Sequence, residues 1–298
     1  MLKGVAASVL ASALFGAIYY LPPFLAPLDG EQIFGWRVLL TWPFTTGLLL
    51  WRGQGGRVVE LLARAWANWR FGALLLLCSA LLGLQLWLFM WAPLQGRALP
   101  VSLGYFLLPL VMVVVGRWVF GERLSVGQKL AASLAAAGVA HEILRVGGHS
   151  WETGVVALGY PLYFVLRRRL DSGHLGGHWL DMTLLLPAGL WFVLRDPSSL
   201  SLVGAQPLLM ALLPLLGVLS AVALGLYMAA SRWLPMALFG LLTYVEPVLL
   251  VGVALLLGER VLPEQVWTYG LVFAAVAVLV IEGLRQWLRD ARIRPQSS

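Results

Sequence analysis

The chain has 298 residues, of which 60% are hydrophobic and only 12% are charged, and its mean hydropathy is +0.84. A soluble globular domain carries about 25% charged residues, so this composition excludes a water-soluble fold and indicates a helical membrane protein. The net charge of +7 does not require a nucleic-acid partner, because basic residues in a membrane protein set its topology and meet anionic lipids.

Apolar segments follow one another along the whole chain, and we count ten that can form the roughly 20-residue helix needed to cross a bilayer. Five are clear, and they span about 4–22, 71–92, 98–117, 206–230 and 264–284. A sixth, about 235–257, is interrupted only by Glu246. Four weaker segments span about 32–51, 127–145, 152–169 and 178–195.

Polar segments separate or end these predicted helices. The connection of about 52–70 contains several Arg and Trp residues, and we expect it to lie along the membrane surface. The tail after Arg289 is expected to be disordered. The first apolar run, from Gly4 to Leu28, carries no charge and exceeds the roughly 7–15 residues of a signal-peptide core, so we interpret it as an uncleaved helix.

Basic residues fall mostly on one side of this predicted topology. With ten helices and a cytoplasmic N-terminus, 16 of the 21 Lys and Arg residues lie in cytoplasmic segments. The others are Arg37, Arg97, Arg145, Arg195 and Arg260. Because cytoplasmic loops are enriched in Lys and Arg, the distribution favours this topology, with both termini in the cytoplasm, over its inverse.

One sequence pattern occurs twice, with its copies about 135 positions apart. Arg97-Ala98-Leu99-Pro100 opens an apolar run that closes at Gly121-Glu122-Arg123, and Arg232-Trp233-Leu234-Pro235 opens another that closes at Gly258-Glu259-Arg260. Each predicted half holds five helices, an odd number, so the second half enters the membrane upside down relative to the first. The pattern therefore predicts inverted repeats, a recurrent transporter design.

The predicted repeats divide the chain into three parts. The first five-helix repeat covers 1–146, the second, inverted repeat covers 150–287, and a cytoplasmic tail covers 288–298. The Glu122-Arg123 and Glu259-Arg260 pairs lie at predicted helix ends on opposite faces. We expect them to make capping, anchoring or gating contacts.

Several short motifs follow one another in the chain. They are Glu31 with Arg37, Gln85-Leu86-Trp87-Leu88-Phe89-Met90-Trp91-Ala92, Ser102-Leu103-Gly104-Tyr105-Phe106 with Pro109, Gly121-Glu122-Arg123, Ala157-Leu158-Gly159 with Tyr163, and Arg167-Arg168-Arg169. In this order they resemble the RarD family, the "chloramphenicol-sensitive" permeases of the EamA group in the drug/metabolite transporter superfamily. The resemblance runs from about residue 3 to 287. It implies ten helices, cytoplasmic termini, a bacterial inner-membrane location, and export or exchange of small molecules.

Glu246 is the strongest candidate for a functional charge within a predicted helix. It lies directly before Pro247, near the middle of its apolar segment. A charge at the bilayer centre costs about 2.5–3.5 kcal/mol on insertion scales, and Pro247 has no N–H, which frees a carbonyl one turn earlier and can kink the helix. Glu246 fits two roles: binding a proton or cation, or making a structural hydrogen bond to a neighbouring helix.

Other polar and aromatic residues are candidates for a substrate cavity. Arg37 and Asp181 each precede a proline by six positions. They can pair across the repeat axis, or Arg37 can hold an anionic group or extend to the interface. Trp87 and Trp91 share a helix face, where they can stack on a flat or cationic solute or anchor the interface. The remaining cavity candidates are Gln85, Tyr105 and Tyr244.

Metal and enzyme chemistry have little support in the sequence. His141 and Glu142 begin like a zinc-protease helix, but Arg145 stands where the second His is required. His174 and His178 are spaced i,i+4, yet the surrounding glycines argue against a helix there. The chain also lacks a P-loop and a Gly-x-Ser-x-Gly turn. We therefore expect no enzyme, no metal and no cofactor.

We interpret the chain as an all-α integral membrane protein with ten transmembrane helices in two inverted five-helix EamA-like repeats. It is expected to be a secondary transporter, a permease or exporter that moves small organic metabolites or drugs across the bacterial inner membrane by alternating access. Its partners are a small-molecule substrate and the lipid bilayer, without nucleic acid, and its oligomeric state is unknown. Two alternatives stay open: a flippase for lipids or lipid-linked solutes, and an intramembrane enzyme.

Overall fold

The computed structural model describes residues 2–95, 98–146, 151–196, 198–247, 249 and 263–293. Throughout these ranges the regular secondary structure is helical, without a β-strand. The α-helices are α1 (Leu2–Tyr20), α2 (Gly30–Trp51), α3 (Gly55–Ala67), α4 (Trp69–Leu94), α5 (Ala98–Val119), α6 (Val126–Val146), α7 (Trp151–Arg169), α8 (Leu175–Leu194), α9 (Ser198–Ala205), α10 (Pro207–Trp233), α11 (Met236–Leu242) and α12 (Val266–Ile293).

Several of these helices can cross a bilayer. Five are long and apolar enough by length and composition: Leu2–Tyr20, Gly30–Trp51, Trp69–Ala92, Leu175–Leu194 and Pro207–Trp233. Shorter apolar helical stretches cover Gly104–Val119, Met236–Pro247 and Val266–Glu282. The protein is therefore a multi-pass helical membrane protein. Within the repeated pattern, Arg97 and the copy Gly258-Glu259-Arg260 lie outside the described residues.

The start of α8 lies inside the glycine-rich segment that we expected to be non-helical. α8 begins at Leu175, and the His174 side chain caps it by accepting a hydrogen bond from the backbone N–H of Gly177. A Cβ at position 177 would lie 1.9 Å from the Ser172 carbonyl oxygen. Glycine is required here because the chain approaches itself closely, and the helix forms around that contact.

The C-terminal helix is longer than the sequence predicted. α12 continues to Ile293, beyond the predicted helix end near 284 and into the segment that we expected to be disordered. Leu284, Trp287 and Leu288 keep the i, i+3, i+4 spacing of an apolar helix face past that point. The prediction stopped where the continuous apolar run stops, although an amphipathic helix needs apolar residues on one face only.

α3 occupies the connection that we expected to lie along the membrane surface. Val58 and Leu61 are its buried residues, whereas Trp66 is 94% exposed. A short amphipathic helix with exposed aromatic and basic residues is typical of a membrane interface. We call the end of the bundle that holds α3 the α3 end. The ends of α2 and α10 and the start of α8 also lie there, since together with α3 they line one cavity.

Helices from the two halves of the chain pack against each other in antiparallel pairs. Between α2 and α8, the indole N–H of Trp42 donates to Thr183 at 2.9 Å and that of Trp179 donates to Thr46 at 2.7 Å. A residue further along α2 thus meets a residue earlier in α8. These pairs include α1 with α10; α2 with α8; α5 with α11, through Gly116 near Ala237 and Met112 near Gly240; and α6 with α12, through Gly127 near Glu282 and Gly138 near Thr268.

Candidate functional site

A small cavity, which we call the central cavity, lies between helices of both halves. Its volume is about 20 Å³, little more than the ~10–15 Å³ that one water molecule needs. Three of the predicted site residues, Arg37, Tyr105 and Glu246, meet there. The full lining is Phe15, Arg37, Leu82, Leu86, Phe89, Tyr105, Tyr160, Tyr163, Phe164, His178, Leu224, Tyr227, Met228 and Glu246.

Arg37 reaches the central cavity from the first half of α2 and is only 2% exposed. Its Nε–H donates to the Ser220 hydroxyl of α10 at 3.0 Å, and its guanidinium carbon lies 5.8 Å from the centre of the Phe89 ring. In the part of the chain that the structure describes, Nη1 of Arg37 has no hydrogen-bond partner. A buried cationic donor without a partner is costly, so this atom is available to an anionic group.

Glu246 comes directly after a break in the helix that the sequence predicts over about 235–257. α11 ends at Leu242, and Thr243 and Tyr244 form a turn. The N–H of Glu246 donates to the Thr243 carbonyl at 3.1 Å, only three residues back. Pro247 has no N–H to offer that carbonyl, which is the physical reason for the break. The carboxylate is 6% exposed and lines the same cavity as Arg37.

Aromatic rings form much of the wall around these two charges. The ring centroids of Tyr105 and Tyr160 are 6.2 Å apart, and those of Tyr105 and Phe89 are 6.0 Å apart. On the other side, the rings of Phe164 and Tyr227 meet edge to face with centroids 5.4 Å apart. Such a wall offers ring faces and phenol groups to a planar organic solute.

Asp181 lies behind this wall, in an ion pair with Arg167 and not with Arg37. The carboxylate of Asp181 also accepts hydrogen bonds from the Ser79 hydroxyl at 2.7 Å and the Tyr163 hydroxyl at 2.9 Å. Both members of the ion pair are fully buried, with 1% and 0% of their side chains exposed. The sequence left open a pair between Arg37 and Asp181. In the structure Asp181 pairs with Arg167 of α7.

The other predicted cavity residues lie away from the central cavity. Gln85 donates its side-chain N–H to the Val155 carbonyl at 2.7 Å, which joins α4 to α7. Trp87 stacks on Trp91 with ring centroids 5.0 Å apart. Tyr244 donates its hydroxyl to the Phe106 carbonyl at 2.9 Å, which joins the turn after α11 to α5. In this conformation these side chains make contacts between or along helices.

Tyr160, Tyr227 and His178 line the central cavity, and the sequence had not placed them there. His178 is fully buried, and within the described residues neither of its ring nitrogens has a hydrogen-bond partner. Its spacing from His174 suggested only metal binding, and the described residues contain no group of three metal-ligating side chains. A useful signal was available for Tyr160, which precedes Pro161 inside an apolar helix, as Glu246 precedes Pro247.

The Gly121-Glu122-Arg123 motif closes the α3 end between the two halves. The Glu122 carboxylate accepts the backbone N–H groups of Met236 at 2.7 Å and Ala237 at 2.8 Å, at the start of α11. Arg168 of α7 donates to the same carboxylate at 3.0 Å and also to the Ser231 carbonyl of α10. Glu122 therefore caps one helix while it joins α5, α7, α10 and α11.

The fold and the buried charges define a polytopic membrane protein with a polar site at its centre, and comparisons with known proteins identify its family. The chain is 43% identical over 293 residues to the "Chloramphenicol-sensitive protein RarD" of Pseudomonas aeruginosa, with 97% of each chain covered. It is 39% identical over 284 residues to an "Uncharacterized transporter" of Haemophilus influenzae, with 95% of each covered. The chain belongs to the RarD family of membrane transporters.

More distant comparisons agree with this assignment. The "Protein RarD" of Escherichia coli is 27% identical over 286 residues, covering 95% of this chain and 93% of that protein. A solved crystal structure with 17% sequence identity has the same fold, with a TM-score of 0.68 over 93% of this chain and 98% of that chain. No family model matches the chain. The relatives are named as transporters and RarD proteins.

Proposed function

We propose that the protein is a secondary transporter that moves a small organic solute through the central cavity by alternating access. The observation that carries this proposal is the burial of Arg37 and Glu246, two groups of opposite charge, in one aromatic-lined cavity. Ionisable residues inside a membrane bundle mark substrate and ion pathways.

The packing of the helices supports an inverted repeat of ten transmembrane helices formed by 1–146 and 150–287. That repeat relates α2 to α8, α5 to α11 and α6 to α12, and each of these pairs packs antiparallel. A pseudo-two-fold axis in the membrane plane brings related helices together in this way. Exchange of conformation between the halves then opens the cavity to one side and afterwards to the other.

The small size of the central cavity supports an occluded conformation. Its volume of about 20 Å³ is far below the ~300–1,000 Å³ of sites that hold small molecules. A solute can enter only after helices separate. Glu122 and Arg168, which hold the α3 end together, are in this proposal gating residues whose contacts break when that end opens.

We infer that the α3 end faces the cytoplasm of a bacterial inner membrane, with both termini on that side. The α3 segment and its flanks carry Arg52, Arg57, Arg64 and Arg70. At the opposite end, basic residues pair with nearby carboxylates, as Arg195 does with Glu31 and Arg145 with Glu142. An excess of basic residues in cytoplasmic segments supports this orientation.

The lining of the cavity suggests the chemistry of the substrate. Nη1 of Arg37, without a partner in the described chain, suits a carboxylate or another anionic group. The surrounding rings suit a planar hydrocarbon or heterocyclic part. Glu246, in the same cavity, is the residue that we assign to binding a coupling proton or cation.

A ligand screen followed by a transport assay tests this proposal. We expect a screen of metabolites and drugs to identify compounds that raise the thermal stability of the purified protein. These compounds should be enriched in planar organic anions. Proteoliposomes should take up those compounds, and the double variant Arg37→Gln/Glu246→Gln should lose both responses. The matched control is Glu31→Gln/Arg195→Gln, which removes a partly exposed ion pair at the opposite end. Unchanged uptake by the cavity variant would contradict the proposal.

A further inference from the structure

A second and larger cavity lies at the α3 end of the bundle, and we call it the α3-end cavity. Its volume is about 510 Å³, within the ~300–1,000 Å³ typical of sites for small molecules. The end of α2, the start of α3, the α7–α8 connection and the second half of α10 surround it. The two cavities share no lining residue.

The polar rim of the α3-end cavity is basic. Arg52, Arg57 and Arg232 line it, and the described lining contains no carboxylate. The carboxylates near these arginines are mostly exposed and loosely placed: Glu60 is 3.7 Å from Arg57, and Asp171 is 3.4 Å from Arg232. Three arginines that line one space, with weak neutralisation by their neighbours, suit a strongly anionic group.

His174, directly before α8, lines this cavity, and the nearby arginines affect the pKa of its side chain. Burial, followed by the nearby charges of Arg232 and Arg57, lowers the pKa of its imidazole to about 4. The ring is therefore neutral at neutral pH, and its Nδ1 accepts the hydrogen bond from Gly177. The surroundings of His174 therefore disfavour an additional positive charge.

The remaining wall of the α3-end cavity is apolar. Leu48 of α2 and Val222, Leu226 and Ala229 of α10 extend from the basic rim towards the middle of the bundle. Trp233 adds an indole at the rim, where it is 52% exposed. A ligand that fills the cavity therefore has an anionic end and an apolar remainder.

We propose that the α3-end cavity binds a phosphate group through Arg52, Arg57 and Arg232, with the hydrocarbon part of the same ligand against α10. A phosphate can be the headgroup of an anionic phospholipid or part of a soluble organic phosphate. The apolar wall favours the lipid, and so does α3, whose exposed Trp66 is typical of a helix at the level of the headgroups. Basic pockets between membrane helices bind lipid headgroups in this manner.

Binding measurements on the purified full-length protein in detergent test this site. The probes are dioleoyl phosphatidylglycerol, dioleoyl phosphatidylcholine and glycerol 3-phosphate, each titrated while thermal stability is followed. The variant is Arg52→Gln/Arg57→Gln/Arg232→Gln. The matched control, Arg64→Gln/Arg70→Gln/Arg123→Gln, removes the same charge from residues that do not line the cavity.

We expect phosphatidylglycerol to stabilise the wild type, and the cavity variant to bind it at least about tenfold more weakly, while the control keeps the wild-type response. Stabilisation by phosphatidylglycerol alone assigns the phosphate to a lipid, whereas stabilisation by glycerol 3-phosphate that the cavity variant loses assigns it to a soluble ligand. Equal losses in the two variants, or an equal response to phosphatidylcholine, would overturn the proposal.

The test remains decisive if the triple variant does not fold. The single variant Arg52→Gln changes a side chain whose guanidinium lies 5.3 Å from the exposed Trp51 ring, so its effect on folding should be small. It must bind phosphatidylglycerol more weakly than Arg64→Gln does, and equal binding by these single variants overturns the proposal.

Discussion

Two sets of buried charges in the same bundle differ in whether the two opposite charges contact each other. Arg167 and Asp181 contact each other directly, and Ser79 and Tyr163 donate further hydrogen bonds to the carboxylate. Arg167 in turn donates to the Gly177 carbonyl at 3.1 Å. By contrast, Arg37 and Glu246 line a cavity without forming an ion pair with each other among the described contacts, although one guanidinium nitrogen of Arg37 and one of Arg167 both lack a hydrogen-bond partner there.

The difference separates a structural charge pair from a site. A buried charge is tolerated when it is paired and hydrogen-bonded, and removal of one partner then leaves the other uncompensated. Arg167 and Asp181 form a direct ion pair that joins α7 to α8. Arg37 and Glu246 line the central cavity without such a pair between them in the described residues, and this is the arrangement on which the proposed site rests.

The largest expected effect comes from breaking the ion pair between Arg167 and Asp181. Asp181→Asn should destabilise the protein by about 3–5 kcal/mol, because Arg167 is left buried without its counter-charge. The matched change Glu246→Gln should destabilise the protein clearly less, because it breaks no direct ion pair among the described residues. Thermal unfolding of both variants in the same detergent measures the contrast, and equal destabilisation would remove the distinction between the two sets.

The second expected effect concerns coupling. Glu246→Gln removes the titrating carboxylate from the central cavity, so we expect uptake driven by a pH gradient to fall at least about tenfold. Exchange of labelled for unlabelled substrate across proteoliposomes without a gradient should persist. Glu264→Gln, an exposed glutamate before α12, is the control. Gradient-driven uptake at the wild-type rate would refute a coupling role for Glu246.

A smaller effect is expected at the contact that closes the α3 end. Glu122→Gln weakens the cap on α11 and the ion pair with Arg168, by about 1–2 kcal/mol, which favours opening at that end. A Phe15→Cys reporter in the central cavity, in a Cys78→Ser background, should then react faster with a polar thiol reagent added from the α3 side. An unchanged rate would indicate that this contact only anchors the helices.

The smallest effect is expected at the antiparallel α2–α8 interface. Trp42→Phe and Trp179→Phe each remove one interhelical hydrogen bond, to Thr183 and Thr46 respectively. Such bonds in membrane proteins contribute about 0.6 kcal/mol on average. We expect similar small losses of stability from the two variants, measured by thermal unfolding, since the two contacts are alike. A loss above about 2 kcal/mol in either variant would show that the two contacts are not equivalent.

The positions of the helices follow closely from the sequence because lipid leaves the chain few options. Backbone polar groups must be satisfied within each spanning segment, so long apolar runs become helices. Glu246 and Arg37 were visible for the same reason, as charges inside apolar runs. The start of α8 could not be recognised from the sequence, because Gly176 and Gly177 weaken a helix locally. Only their close contacts in the structure show why glycine is needed there.

Arg167 shows most clearly where sequence reasoning stops. It belongs to the trio Arg167-Arg168-Arg169 at the end of α7, a pattern that indicates topology. In the structure one residue of the trio pairs with the buried Asp181 and the next pairs with Glu122. Neither contact can be deduced from spacing, because Asp181 on the following helix and Glu122 in the α5–α6 connection meet the trio only through the way the helices pack.

The sequence by itself determined that this is a helical membrane protein, which segments are apolar enough to be buried in lipid, and which charges are exceptional within them. The physical reason is that transfer into lipid depends on local composition. Only the tertiary structure decided which exceptional charges meet: Asp181 with Arg167 in a direct ion pair, and Arg37 with Glu246 in the lining of one cavity. Pairing depends on which helix faces pack together, and that is a property of the whole bundle.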